Sequence, residues 1–200
     1  MSPDLLAAFV VFAVVTLFTP GPNNVMLMAS GVNYGFARTQ PHVVGVAVGF
    51  GFLVIVVGLG LGALFAAWPG LYAGLKFVGA AYLLYLAWLI ATSGPVKGGE
   101  AGGGRPFTFL QAAAFQWVNA KGWVMATGAV TAYAALARFP VNVLIIAGIF
   151  TGLGFLSGWT WLLFGTGLRH VLTRPGAVRA FNIVMALALV ASLVPVFTAG

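Results

Sequence analysis

A handful of polar side chains lie inside runs of apolar sequence, and their types define what chemistry the chain can do. Asn23 and Asn24 follow Pro20-Gly21-Pro22 in one such run, Gln116, Asn119 and Lys121 share a second, and His42 opens a third directly after Pro41. Amides carry donors and acceptors together. A cluster of them suits a zwitterion, whose ammonium needs acceptors and whose carboxylate needs donors. Lysine within an apolar span is costly, and such residues are usually functional or paired. It can contact a substrate carboxylate, snorkel to the interface, contact backbone carbonyls, or lose its proton through burial. Histidine has the unperturbed pKa best placed for reversible protonation near neutrality. At the end of its span His42 is expected within reach of water, which makes it, with Lys121, a proton-handling candidate. An interfacial histidine with one polar partner is the alternative.

The missing groups narrow the choice further. The chain has only two acids, Asp4 and Glu100, one near the N-terminus and one in a glycine-rich stretch. No apolar run holds a carboxylate, which argues against paired-carboxylate catalysis, a carboxylate metal cage or an aspartate proton relay. Cysteine is absent, removing thiol redox chemistry and thiolate metal sites. Gly102-Gly103-Gly104-Arg105 lacks the strand–helix context of a nucleotide loop. No metal and no cofactor is expected, and no enzyme activity.

These residues must be positioned by helices in a bilayer. The chain is 62% hydrophobic and 6% charged, against roughly 25% charged residues in soluble domains. Its apolar runs match the roughly 20 residues needed to cross a hydrocarbon core. The first run lacks the flanks of a cleaved signal and is expected to be retained. Six spans are expected: Asp4–Ser30, Val43–Ala67, Leu71–Ala91, Phe107–Ala134, Val141–Gly165 and Ala180–Phe197. Within the first, Pro20 and Pro22 lack backbone donors and Gly21 weakens the helix, so a break is expected there. Broken helices in membranes survive where they are buried in protein or line a cavity, and transporters place them at binding sites, with helix N-termini aimed at anionic groups.

The halves repeat weakly. Phe18 with Met28-Ala29-Ser30-Gly31 matches Phe115 with Met125-Ala126-Thr127-Gly128 at one constant offset, and Gly45-x-x-x-Gly49-x-Gly51-Phe52 matches Gly148-x-x-x-Gly152-x-Gly154-Phe155. Small residues four apart also serve ordinary helix packing. Registered twice, they predict an all-α membrane protein of six transmembrane helices, in two inverted three-helix repeats whose first helices are broken. The repeats are residues 1–92 and 107–200. Residues 93–106, with six glycines and two prolines, form a flexible cytoplasmic linker. Arg38, Lys97, Arg105, Arg169, Arg174 and Arg179 fall on one side of the membrane and Lys76 and Arg138 on the other. The positive-inside rule puts the first set in the cytoplasm and both termini outside. The net charge of +7 then reflects topology and anionic lipid headgroups, not nucleic acid. Tyr82, Tyr85 and Trp88 read as packing or an aromatic belt.

The run from Thr19 through Pro20-Gly21-Pro22-Asn23-Asn24 to Gly45, the segment Phe115-Gln-Trp-Val-Asn-Ala-Lys-Gly-Trp123 and the stretch Arg179-Ala-Phe-Asn182 resemble the signatures of the LysE/RhtB family of amino-acid exporters. Ala120 departs from the pattern, which usually has proline there, so the second break is expected to be milder. The resemblance implies proton-driven export of amino acids or their derivatives across the bacterial cytoplasmic membrane. Together with the breaks and the buried polar groups it gives an expected substrate site at Pro20, Gly21, Pro22, Asn23, Asn24, Gln116, Asn119 and Lys121, with His42 and Lys121 as the proton-coupling candidates that their side-chain chemistry offers. The expected partners are a small amino-acid substrate and membrane lipids; a homo-oligomer is compatible with the same reading. An ion transporter of the same architecture or a non-transporting membrane subunit are the competing readings.

Overall fold

A computed structural model describes residues 2–61, 67, 69–93, 105–194 and 197. The described residues are helical, without strands. Helix α1 spans Pro3–Phe18, opened by Pro3 and by the Ser2 hydroxyl, which accepts from the Leu5 amide. It stops before Pro20, and α2, Pro22–Arg38, leaves at 53° to it. Helix α3, Gln40–Val56, runs on through a π turn at Val57–Leu61. Helix α4 covers Pro69–Ala91. Helix α5, Phe109–Gln116, starts with a capping box in which Thr108 and Gln111 satisfy each other's backbone donors. Helix α6, Ala120–Ala132, follows after three residues, and α7, Val141–Val171, is the longest. Helix α8, Pro175–Ala191, closes the order.

The expected first and fourth spans are therefore each two helices, interrupted at Thr19–Gly21 and Trp117–Asn119. Two helices, Gln40–Gly60 and Val141–Val171, are each long and apolar enough to cross a membrane, and the bent pair α1–α2 adds a third. Phe77–Ala91 and Pro175–Ala191 are shorter apolar helices. Most of the expected linker, 94–104, lies outside the described residues, as does Trp68.

Without a hydrophobic drive between helices in lipid, close packing holds them, and small residues set how near backbones come. Helix α7 lies along α2, and α3 lies along both α5 and α7. At the α2–α7 crossing a Cβ on Gly165 would strike the Met28 carbonyl oxygen, and one on Gly31 would come within 2.5 Å of the Leu162 carbonyl. At the α3–α5 crossing a Cβ on Gly45 would come within 2.5 Å of the Phe109 carbonyl. Elsewhere side chains fill the gap. Phe9 sits 5.2 Å from Phe150 and 5.0 Å from Tyr133, and Phe50 lies 5.1 Å from Phe150, centroid to centroid. A second core, around Met26, Leu86, Phe115 and Leu189, joins α2, α4, α5 and α8.

Candidate functional site

The first break frees carbonyls that a continuous helix would satisfy. Leu17 would normally accept from residue 21 and Thr19 from residue 23. Side chains replace those donors. The Asn24 amide donates to the Leu17 carbonyl at 3.0 Å and to the Thr19 carbonyl at 2.9 Å. The Ser157 hydroxyl, from α7, donates to Leu17 at 2.8 Å, and the Lys121 ammonium, from α6, donates to Thr19 at 2.7 Å. The break is thus tied to three helices, and its Leu17 and Thr19 carbonyls meet the requirement for satisfied backbone in lipid.

Asn23 faces the other half. Its amide donates to Gln116 Oε1 at 2.9 Å, and Gln116 Nε2 donates back to Asn23 Oδ1 at 3.0 Å. Gln116 Nε2 also donates to the Ala112 carbonyl at 2.9 Å. At the second break Trp117 keeps helical angles and Asn119 is extended (φ −83°, ψ 100°) as the N-cap of α6. The indole of Trp123 donates to the Trp117 carbonyl at 2.8 Å. Asn119 is buried, and its Oδ1 has no partner among the described residues. Unpaired buried acceptors are uncommon in a folded protein, and Asn142 Oδ1, away from the breaks, is a second one among the described residues.

Between the breaks lies a cavity of about 500 Å³, counting its open mouth. Gly21, Pro22, Asn23, Asn24, Asn119 and Lys121 line its polar side; Leu27, Phe50 and Met125 line its apolar side. Among the described residues of the wall, Lys121 is the one charged group. The N-terminal ends of α2 and α6, at Gly21 and Asn119, both meet the cavity. Each places first-turn N–H groups and the positive end of a helix dipole there. Gly21 has a steric duty as well: a Cβ on it would come to 3.0 Å from Lys121 Cδ and 3.1 Å from Nζ. The arrangement provides a cation, amide donors and one open acceptor beside an apolar wall.

Six of the nine candidate residues line this cavity. Pro20 shapes the break without lining it, and Gln116 supports Asn23 from beneath. His42 stands apart. The expectation that water reaches it is corrected: its side chain is fully buried. Nδ1 lies 3.1 Å from the Ser30 hydroxyl, the ring packs edge-on against Phe107 at 5.0 Å, and Nε2 has no partner among the described residues. Phe107 arrives from the other half of the chain, so neither the position nor the neighbours of His42 in sequence reveal its cover. A related amide pair ties that end together: Asn33 and Asn182 exchange hydrogen bonds of 2.7 and 2.8 Å. Sequence reasoning missed Thr16, Phe50, Met125, Gly154, Ser157 and Gly158 in the wall. The one available signal was the run of small residues Gly154, Ser157 and Gly158 in an apolar helix.

Two broken helices meet at a mostly apolar cavity with a polar side, and no described residue of its wall is an acid, an arrangement that suits a membrane protein that translocates a solute. The chain belongs to the LysE type translocator family, whose profile matches residues 14–191. It is 30% identical over 198 residues to the cysteine/O-acetylserine efflux proteins of Escherichia coli K12 and Shigella sonnei, covering 98% of this chain and 100% of theirs. The protein of that name from E. coli O139:H28 is 29% identical over the same length. No solved structure matches this chain.

Proposed function

We propose that the chain exports a zwitterionic amino acid or amino-acid derivative with a small uncharged side chain, as a proton-coupled secondary transporter of the bacterial cytoplasmic membrane. The observation that carries this reading is the open Asn119 acceptor beside Lys121, in a cavity bounded by two helix breaks. The substrate carboxylate takes the Lys121 ammonium and the N–H groups opening α2 and α6. Its ammonium takes Asn119 Oδ1 and the remaining lone pair of Asn23. Its side chain lies against Leu27, Phe50 and Met125. With no acid in the described wall, a second positive charge has no counter-charge there, which disfavours basic amino acids. The names of the cysteine/O-acetylserine efflux relatives agree with a small neutral substrate.

In this reading α1 to α4 and α5 to α8 are inverted repeats, each opening with a broken helix. The end bearing Arg38, Arg105 and Arg169 faces the cytoplasm, where basic residues also meet anionic lipid headgroups. Lys121 binds substrate and His42 takes the proton. The reading is tested by counterflow in liposomes containing the purified protein, with labelled O-acetylserine, cysteine, threonine, homoserine, leucine, lysine and serine methyl ester. The small zwitterions exchange, whereas lysine and the ester, which lacks a carboxylate, do not. Exchange of none of the amino acids overturns the proposal, and equal exchange of the ester overturns the assignment of Lys121. For the proton, His42→Gln weakens pH-gradient-driven uptake more than exchange at equal pH; equal losses make His42 structural.

A further inference from the structure

The two copies of the glycine pattern are used differently. In the first half Gly45 and Gly49 bring α3 against α5: a Cβ on either would come within 2.7 Å of the Phe109 carbonyl or of Ala113 Cα. The α2–α7 seam at Gly31 and Gly165 is equally tight. Both seams lie at the end that carries Arg38, Arg105 and Arg169. In the second half the matching Gly148 and Gly152 have nothing within 4 Å of where a Cβ would stand, and both are exposed. The repeat register pairs Gly148 with Val15 on α1, as Gly45 is paired with Ala112 on α5. Val15 is 59% exposed. At this end the rings of Phe9, Phe50 and Phe150 pack between α1, α3 and α7, while α3 meets α7 directly where a Cβ on Gly51 would strike the Thr151 hydroxyl and one on Gly58 would come within 2.5 Å of the Val143 side chain. One end is thus closed by backbone against backbone; at the other, α7 meets α3 closely but its Gly148 and Gly152 have no partner on α1.

We propose that this is one of two states, and that the protein switches by exchanging seams: α7 closes on α1 through Gly148 and Gly152 while α3 leaves α5 at Gly45 and Gly49. The proposal rests on the transport and inverted-repeat reading above. Two seams built on the same small-residue pattern give two packings of similar energy, which a bistable element requires. The interruptions at Thr19–Gly21 and Trp117–Asn119 are natural hinges, because no helical hydrogen bond ladder crosses them intact. His42 belongs to the same device. Phe107, just before α5, covers it, so separating α3 from α5 uncovers the ring at the cytoplasmic end and lets it exchange a proton in that state only.

The chain has no cysteine, so a Val15→Cys/Gly148→Cys pair in native membranes reports the second state directly. Oxidation gives a disulfide within one chain. Gly152→Leu places bulk where this structure has open space, so this state folds and keeps its cavity, but the seam cannot close. Substrate exchange falls roughly tenfold or more, while Gly152→Ala retains most of it. Absence of the disulfide together with wild-type exchange by Gly152→Leu overturns the proposal. A disulfide found only between two chains also overturns it, and assigns the face to a homodimer. The disulfide needs no substrate, so a wild-type protein that exchanges no amino acid defeats the function proposed above while the cross-link still decides the seam exchange.

Discussion

The two helix breaks occupy matching places in the two halves, yet they are built in opposite ways. The first is made by Pro20, Gly21 and Pro22, and two of its freed carbonyls are held by side chains: Asn24, Ser157 and Lys121 all donate to Leu17 or Thr19. The second has no proline. It closes with tightened turns, Trp117 and Val118 donating to Ala114 and Phe115, and leaves the Asn119 oxygen open. In the first break polar side chains serve the backbone. In the second the Asn119 oxygen serves none of the described residues. Side chains of one residue type, Asn24 and Asn119, therefore differ in duty: one holds the fold, and the other is the acceptor that the function proposed above gives to the substrate.

That contrast can be broken most severely at Lys121, which belongs to both breaks. Lys121→Gln removes the cavity's charge and its hold on Thr19; amino-acid exchange in liposomes is expected to fall about 100-fold, near the top of the range of roughly 1.5–3 kcal/mol for a charged hydrogen bond. Asn119→Leu is next. It deletes an acceptor that no described residue uses, so membrane abundance and thermal unfolding in detergent stay near wild type, while exchange drops roughly tenfold or more. Asn24→Leu does the reverse. It removes one of the two donors from each of two carbonyls, at about 0.5–1.5 kcal/mol per hydrogen bond, so the melting temperature falls, and the exchange rate per folded molecule changes less than in Asn119→Leu. If these two variants have the same ratio of stability loss to activity loss, the distinction between the breaks is wrong. Gly21→Ala crowds the Lys121 stem and is expected to raise the concentration for half-maximal exchange several-fold. The smallest effect is at Ala120→Pro. Position 120 opens α6, where a missing N–H is tolerated, and Asn119 already has the extended angles favoured before proline. The variant is expected to gain about 0.4–1 kcal/mol in stability, without loss of exchange.

The breaks were legible in sequence for different reasons. Pro20 and Pro22 announce the first chemically; the second was found only through its register with the first, because Trp117-Val118-Asn119 contains no helix breaker. The cluster of Asn23, Asn24, Asn119 and Lys121 was legible because amides and a lysine are conspicuous in apolar runs. Their separate duties were not, since capture of a carbonyl depends on which helix arrives beside it. Ser157 shows why. Thr151 and Thr160 on the same helix donate to their own carbonyls four residues back, whereas Ser157 donates to Leu17 across the fold. No local pattern separates these cases. His42 was misjudged for the same reason: its position at a helix start suggests water, and Phe107, distant in sequence, excludes it. The glycine pattern announced close approach but not that Gly148 and Gly152 of the second copy face open space.

The carboxylate-free interior has a consequence for covalent chemistry. Carbodiimides act on buried acids and maleimides on thiols; the apolar runs of this chain hold neither target. Its cavity instead presents the amine of Lys121, half in contact with solvent beside Thr19. Small aldehydes with borohydride, or cyanate, are therefore the reagents that should inactivate the protein, and bound substrate should shield it. That pattern of resistance and sensitivity offers a way to locate the binding site by mass spectrometry before any ligand complex is seen.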